Sequence, residues 1–378
     1  MFRPRRLLLA LSLLVLLPDA VAAPIRIALV GPMAGERFEG PRAQFQQGAL
    51  RAAEAINEAG GVLGRPLEIS VFDDQCHNRQ AVARANEVVN QGVVAVVGHL
   101  CSSTSIVTST IYAQEGVVMI SPASTSPVFT DRGLDNVFRT IGRDDTQGKV
   151  AAAYIAGHTL RGTIAILHNS TVYGRGLALA TQHALHEDQQ RTDTRLWEFP
   201  PGQRDFTDIV DELLAAEVVF VYVGAYGSEV AALRRELHAR GSAVPVMGGD
   251  AVSSLNYWDD AGELAAGTLV TFGPDLFQLP DAQPVIQRFQ EAGFEPIGFT
   301  LNTYAAVQIL AQALERARRL DIERVQEILR EEQFDTVLGT IDFDDKGDRV
   351  GSTFVVYRLL PEPGEVQMIF DPQAQAQE

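Results

Sequence analysis

The residues of this chain best suited to chemistry lie in two short stretches, Gly98-His99-Leu100-Cys101-Ser102-Ser103-Thr104 and Ser121-Pro122-Ala123-Ser124-Thr125. Each begins where an apolar run stops: Val93 to Val97 reads as a buried parallel strand, and Val117 to Ile120 as its neighbour. Both stretches are therefore predicted at the carboxyl ends of adjacent strands, the edge of an open α/β sheet where small ligands bind. Their hydroxyls, and the free backbone N–H groups of a helix starting there, suit a carboxylate. The same residues offer a second chemistry, with Ser102 or Cys101 as nucleophile and His99 as base, in the manner of an amide or ester hydrolase. A covalent catalyst needs that base oriented by a third group, and the sequence suggests none for His99.

The elements that must position these loops alternate almost without interruption. Strand Ile25 to Val30, helix Arg42 to Ala59 ended by Gly60-Gly61, strand Leu67 to Asp73, helix Gln80 to Asn90 and helix Ser103 to Glu115 complete a right-handed βαβ series. After Phe138-Arg139-Thr140 the pattern restarts with helix Gln147 to Leu160. Four more strands follow, Thr163 to His168, Arg195 to Phe199, Val218 to Val223 and Val244 to Met247, with helices between them. Two series imply two lobes. No Pro/Ser/Gly-rich linker marks the restart near Gly142, so the lobes are expected to join by short crossings. The C-terminal third, including helices Pro284 to Ala292 and Thr303 to Leu320 and strands near Thr340 and Phe354, must complete one or both sheets. Periodicity does not say which.

Composition bounds the reading. A chain of 378 residues, 46% hydrophobic, is long enough for two cores. Arg3, Arg5 and Arg6, the apolar run Leu7 to Leu17, and Ala20-Val21-Ala22 make the three parts of a secretory leader, residues 1–22, cleaved after Ala22. Its removal leaves 28 basic and 47 acidic residues, a formal charge of −19, with Lys149 and Lys346 the only lysines. So acidic a chain is a poor nucleic-acid binder. No later segment has the apolar length of a membrane helix, so the mature protein is expected to be soluble in an exported compartment. In an oxidising compartment its two cysteines, Cys76 and Cys101, are expected to pair; the closed loop would stabilise the fold by roughly 3 kcal/mol. A reactive Cys101 thiol beside His99 is the competing reading.

The residues resemble those of the periplasmic binding proteins for leucine, isoleucine and valine, which serve ATP-driven importers. The resemblance spans essentially the whole mature chain. It is carried by Val30-Gly31-Pro32-Met33, Ala55-Ile56-Asn57, Phe72-Asp73-Asp74-Gln75-Cys76, Val97 to Ser103, Tyr173-Gly174, Thr303-Tyr304-Ala305-Ala306 and Asp345-Lys346-Gly347-Asp348. It implies the type I periplasmic binding protein fold: two Rossmann-like α/β lobes joined by three crossings, with the ligand in the cleft. Lobe one would comprise residues 23–142 and 273–338, lobe two 143–272 and 339–372, with 373–378 a flexible tail. It also implies a Cys76–Cys101 disulfide, no cofactor and no enzymatic activity. The expected partners are an amino-acid ligand, most aptly aliphatic or branched-chain, and the membrane permease of an ABC importer, served by a monomer. A related binding protein for an amide, urea or an aromatic acid shares the same fold.

Carried over position by position, the family's clamp falls on Ser102 and Thr125 for the ligand carboxylate, and on the Ala123 carbonyl, the Thr125 hydroxyl and Asp250 for the ammonium. Tyr173 and Tyr226 would close over the ligand, and Leu100, Phe299 and Phe38 would line its side-chain pocket. Two departures stand out. Asp250 replaces the longer glutamate of the branched-chain proteins, and the loop Gly35 to Gly40 is one residue shorter than theirs.

Each position also has a plainer reading: helix capping for Ser102 and Thr125, a turn for Asp250, core packing for the aromatics. Elsewhere His183, His186 and Glu187 share one helix at metal-like spacing, and a solvated face accounts for them. The run Asp342 to Gly347 begins like a calcium loop. Lys346 occupies a ligand position and Thr353 stands where the bidentate glutamate belongs, so a tight turn is expected instead.

Overall fold

The computed structural model describes residues 23–159, 161–187, 193–274 and 278–375. The expected leader, residues 1–22, and the end of the expected tail, residues 376–378, lie outside the described residues. The first series consists of β1 (Ile25–Gly31), α1 (Glu39–Glu58), β2 (Leu67–Asp73), α2 (Asn78–Asn90), β3 (Ala95–Gly98), α3 (Ser102–Gln114), β4 (Val118–Ser121) and β5 (Val137–Arg139). Its strands form a parallel sheet in the order β2-β1-β3-β4-β5. β3 and β4 are buried at every residue, as strands covered on both faces must be, which is why they read as unbroken apolar runs. β5 has only three residues and escapes a periodicity test.

The second series runs α4 (Asp144–His158), β6 (Ile164–His168), α5 (Val172–Glu187), β7 (Thr194–Glu198), α6 (Thr207–Ala215), β8 (Phe220–Gly224), α7 (Gly227–Ala239), β9 (Val246–Gly248), α8 (Leu255–Ala261) and β10 (Leu269–Phe272). The last third supplies α9 (Gln283–Glu291), α10 (Thr300–Ala317), α11 (Ile322–Glu331), a hairpin of β11 (Phe334–Thr336) and β12 (Gly339–Ile341), then β13 (Val355–Leu359), β14 (Val366–Phe370) and α12 (Pro372–Gln375). The second sheet has the order β14-β13-β10-β9-β8-β6-β7, parallel except that β13 pairs antiparallel with both β10 and β14. The C-terminal third thus serves both halves. α10 packs against α1, β3 and β4, whereas β13 and β14 extend the second sheet.

Local chemistry explains the boundaries that differ from expectation. α4 begins at Asp144 rather than Gln147 because two acidic residues, Asp144 and Asp145, occupy its first turn and oppose the positive helix end. α10 ends at Ala317 rather than Leu320 because Arg318 takes a left-handed conformation, φ 58°. The Asp342 to Gly347 run forms the expected turn: Gly347 N–H donates to the Asp344 carbonyl at 2.9 Å, and Asp344 Oδ1 accepts from Lys346 and Asp348. Cys76 and Cys101 are bonded, with Cα atoms 5.6 Å apart, tying the loop after β2 to the start of α3. Residues 373–375 of the expected tail form, with Pro372, a helical turn. No helix among the described residues is long and apolar enough to cross a membrane.

Candidate functional site

The carboxyl ends of β3 and β4 from one sheet, and of β8 and β9 from the other, converge on one cavity. Phe38, Leu100, Ser102, Ala123, Tyr173, Tyr226, Asp250 and Phe299 all line it. Thr125, the remaining expected residue, is buried one step behind the wall. A second cavity lies between Trp258, Phe272, Leu301 and Tyr357, but its walls carry no acid or base. It has nothing with which to hold a charged molecule.

At the first sheet, Ser102 opens α3 after Cys101, whose extended backbone makes it the N-cap. The N–H groups of this first turn, at Ser102 and Ser103, have no carbonyl to return to, since those of Thr104 and Ser105 go to the Cys101 carbonyl. The other serines are spent on holding the loops. Ser121 and Ser124 donate to the His99 carbonyl at 2.8 and 3.2 Å, and Ser105 and Ser124 share a bond of 2.6 Å. Ser102 Oγ accepts from Ser126 N–H at 3.4 Å, which leaves its O–H to donate. Gly98 permits the approach of β3 to β1 here: its φ is 135°, and a Cβ would stand 2.2 Å from the Val30 carbonyl oxygen. This wall presents a helix end and a hydroxyl, groups whose chemistry suits an anion.

The opposite wall is negative. Asp250 follows β9 and is buried; its Oδ1 accepts from the Tyr173 hydroxyl at 2.8 Å and from Gln147 Nε2 at 3.1 Å. Gly249 makes room for this, since a Cβ would lie 2.6 Å from the Tyr173 oxygen. Burial pushes the Asp250 carboxyl up to about 6 despite those two bonds. Behind it stands Asp144, fully buried, with neither carboxylate oxygen in a well-formed hydrogen bond. Burial, then the nearby Asp250, hold Asp144 well above the ordinary carboxylate range, and the Thr125 hydroxyl beside it eases it down. That hydroxyl itself lacks a well-formed hydrogen bond. The guanidinium of Arg139 acts on Asp144 only at a distance, being bound to Asp348 at 2.6 Å. Two buried acids this close make the wall strongly acidic, the kind of surface that suits a cationic group.

The rings close the cavity. Tyr173 stacks on Tyr226 at 5.4 Å, and Phe38 from the first half meets Tyr226 from the second edge-on at 5.4 Å. Phe299, at the start of α10, packs on Phe272 at 5.6 Å and still reaches the cavity. An apolar slot flanked by a donor wall and an acidic wall fits a molecule with adjacent anionic and cationic groups and an apolar tail.

The hydrolase arrangement is not assembled. The Cys101 sulfur is bonded to Cys76, and both His99 nitrogens are engaged in the interior, Nδ1 with Asp74 at 2.6 Å and Nε2 with the Tyr112 hydroxyl at 3.1 Å. Asp74 is the third group that the sequence did not suggest, and it orients His99 toward structure rather than toward Ser102. The His183–Glu187 pair lies exposed on α5 at 3.1 Å, and no group of three metal-binding side chains exists among the described residues.

Sequence reasoning missed Asp144, Gln147, Arg37 and Asn256. The acidic pair at the start of α4 was the available signal for Asp144. Arg37 and Asn256 line the cavity only because the two halves meet there, and no local pattern announces that.

A family model described as periplasmic binding protein matches residues 24–362. The chain belongs to the periplasmic binding protein family. The leucine-, isoleucine-, valine-, threonine- and alanine-binding protein of Pseudomonas aeruginosa is 40% identical over 341 residues, covering 89% of this chain and 90% of that protein. The Leu/Ile/Val-binding protein of Escherichia coli is 37% identical over 339 residues, 89% of this chain and 91% of that one. Among solved structures, a Desulfitobacterium hafniense transporter substrate-binding protein in complex with Leu superposes with TM-score 0.74 at 28% identity, covering 92% of this chain and all of that one. A leucine-binding protein of Thermotoga maritima shares the fold, with TM-score 0.84 at 24% identity over 93% of this chain and 99% of that one. The α/β architecture of this binding protein, with its two sheets around a cleft, is that of its relatives.

Proposed function

We propose that the protein captures an aliphatic, most aptly branched-chain, amino acid in the periplasm and delivers it to the permease of an ABC importer. The observation that carries this reading is the pairing, across one apolar cavity, of the α3 N-terminus with the buried Asp250. The carboxylate is held by Ser102 and its neighbouring N–H groups, and the ammonium by the Ala123 carbonyl and Asp250; the Thr125 hydroxyl, which lacks a well-formed bond just behind this wall, contributes to both from there. Leu100, Phe38 and Phe299 receive the side chain, and Tyr173 and Tyr226 cover it. The names of the P. aeruginosa and E. coli relatives support the choice of ligand class. Asp250, shorter than the family's glutamate, reaches the ammonium with help from Tyr173 and Gln147, which aim its carboxylate. The ligand touches both lobes, so binding favours the closed form.

The lobes divide at residues 142/143 and 272/273, as sheet membership supports. The third crossing is taken at 338/339; beyond it Gly347 accepts from Arg139 N–H at 3.0 Å and Asp348 binds the Arg139 side chain, so the start of the last segment packs on the first lobe. Export by cleavage after Ala22 and action as a monomer complete the reading.

A thermal-shift screen of ligand-stripped protein tests it. Leucine, isoleucine and valine are expected to raise the melting temperature more than polar amino acids, urea, short amides or aromatic acids. A shift confined to a non-amino-acid ligand would overturn it.

The shift should also depend on pH. The Asp250 carboxyl is raised from 3.8 to about 6 in the fold, so the ligand-free fold holds its proton more tightly than the unfolded chain does. That contribution to stability is present below the unfolded value and is lost as pH rises through about 6. An ammonium ligand prefers the ionised acid. Leucine is therefore expected to raise the melting temperature more at pH 7.5 than at pH 5, and equal shifts would remove Asp250 from the ammonium site.

A further inference from the structure

One charged residue in the cavity wall is not used by the amino-acid clamp. Arg37 comes from the 3-10 turn Glu36–Phe38 before α1, in the first lobe, and its Nη2 donates to Glu229 of α7, in the second lobe, at 2.6 Å. Its guanidinium carbon lies 5.1 Å from the ring centres of both Phe38 and Tyr226. Glu229 is fully buried and also accepts from Asn169 Nδ2 at 2.7 Å, Gly202 N–H at 2.5 Å and Tyr226 N–H at 3.0 Å. Those three donors all belong to its own lobe and are neutral. Arg37 is the cation in the set, and it is held as a bound ligand cation would be, by a desolvated carboxylate and two aromatic faces.

We infer that Arg37 is a specificity-determining residue whose guanidinium fills, from within the chain, the cation place beside Glu229 and so excludes amino acids with basic side chains. The inference rests on the amino-acid reading above. A lysine or ornithine seated with its α-ammonium on Asp250 would bring a second ammonium into a cavity lined by Arg37. It would meet a like charge there, and the nearby carboxylate is already taken. An acidic side chain gains little, because the guanidinium is already answered by Glu229 at 2.6 Å. An uncharged aliphatic side chain meets Phe38, Leu100 and Phe299 and pays neither cost. The selectivity is thus achieved by occupying the competing site.

Removing the internal cation should open the place to an external one. The Arg37 side chain is 30% exposed and sits on a single 3-10 turn, so Arg37→Ala and Arg37→Met are both expected to fold. Calorimetry with leucine, ornithine and lysine on the wild type, both variants and Arg37→Ala/Glu229→Gln tests the assignment. In the wild type leucine binds, and ornithine and lysine bind at least about a hundredfold more weakly. In Arg37→Ala the better fitting of the two basic ligands gains at least about tenfold while leucine weakens, and adding Glu229→Gln abolishes the gain. If the variants still bind leucine with no gain for either basic ligand, the inference is overturned and the amino-acid reading stands. If they melt like the wild type yet bind neither class, Arg37 is a closing contact rather than a selector, and the inference fails. If the wild type binds no amino acid, the functional reading itself fails and takes this one with it.

Discussion

Asp250→Asn is expected to weaken amino-acid binding by about 2 to 5 kcal/mol, because the ammonium loses its buried counter-charge. Asparagine keeps an acceptor for the Tyr173 hydroxyl and the Gln147 amide, so the change isolates charge from shape. The matching keto acid, which has the carboxylate and side chain but no ammonium, should bind the wild type poorly and suffer far less from the substitution. Ser102→Ala should weaken both ligands, since it touches the carboxylate they share. Calorimetry on the two variants with the amino and keto acids forms a cycle that isolates the ammonium contribution. Equal losses for both ligands on Asp250→Asn would return Asp250 to a structural role. The ligand-free protein should respond in the opposite direction. A carboxyl raised from 3.8 to about 6 by burial, standing beside Asp144, costs the empty fold up to about 3 kcal/mol at neutral pH, and the neutral amide removes that cost. The variant is thus expected to be more stable empty and less able to bind, the relation expected where strain is held for a ligand.

The second large effect is expected behind the cavity wall, at Arg139. This side chain is fully buried at the end of β5. It donates to the carbonyls of Ser124 at 2.7 Å and Ser126 at 3.0 Å and to the Thr130 hydroxyl at 2.7 Å, and it faces Asp348 at 2.6 Å. It therefore grips the loop that carries Ala123 and Thr125 from behind. Arg139→Met should cost about 3 to 5 kcal/mol of stability, since it strands buried carbonyls and a carboxylate. Arg143 still reaches Asp348 at 2.7 Å, which places the expected loss toward the lower end. Denaturant unfolding measures the loss, and calorimetry should show weaker binding of amino and keto acid alike, because the loop serves both charges. Arg139→Met/Asp348→Asn should recover part of the stability by removing the stranded charge. A loss below about 1 kcal/mol in the single variant would mean that the loop is held by its serine bonds alone.

The sequence by itself determined the alternation of strands and helices, the two-lobe organisation and the loops that bear Ser102, Ala123, Tyr173, Tyr226 and Asp250. These are local or periodic properties: a strand buried on both faces is an unbroken apolar run, a helix shows its buried stripe, and a ligand loop begins where a run ends. The pairing of Cys76 with Cys101 was legible because export and a shared sheet edge leave few alternatives. The fate of the C-terminal third, split between α10 beneath the first sheet and β13 and β14 on the second, was not legible, since periodicity carries no address. The tertiary structure also decided which serines are free, because Ser121 and Ser124 look like Ser102 until their bonds to the His99 carbonyl are seen. It brought Asp144 behind Asp250 across 106 residues of chain, and Arg37 against Glu229 across 192. Those pairings are Coulombic and desolvation effects, set by distance in space and by the exclusion of water. Neither quantity is written in the spacing of residues along the chain.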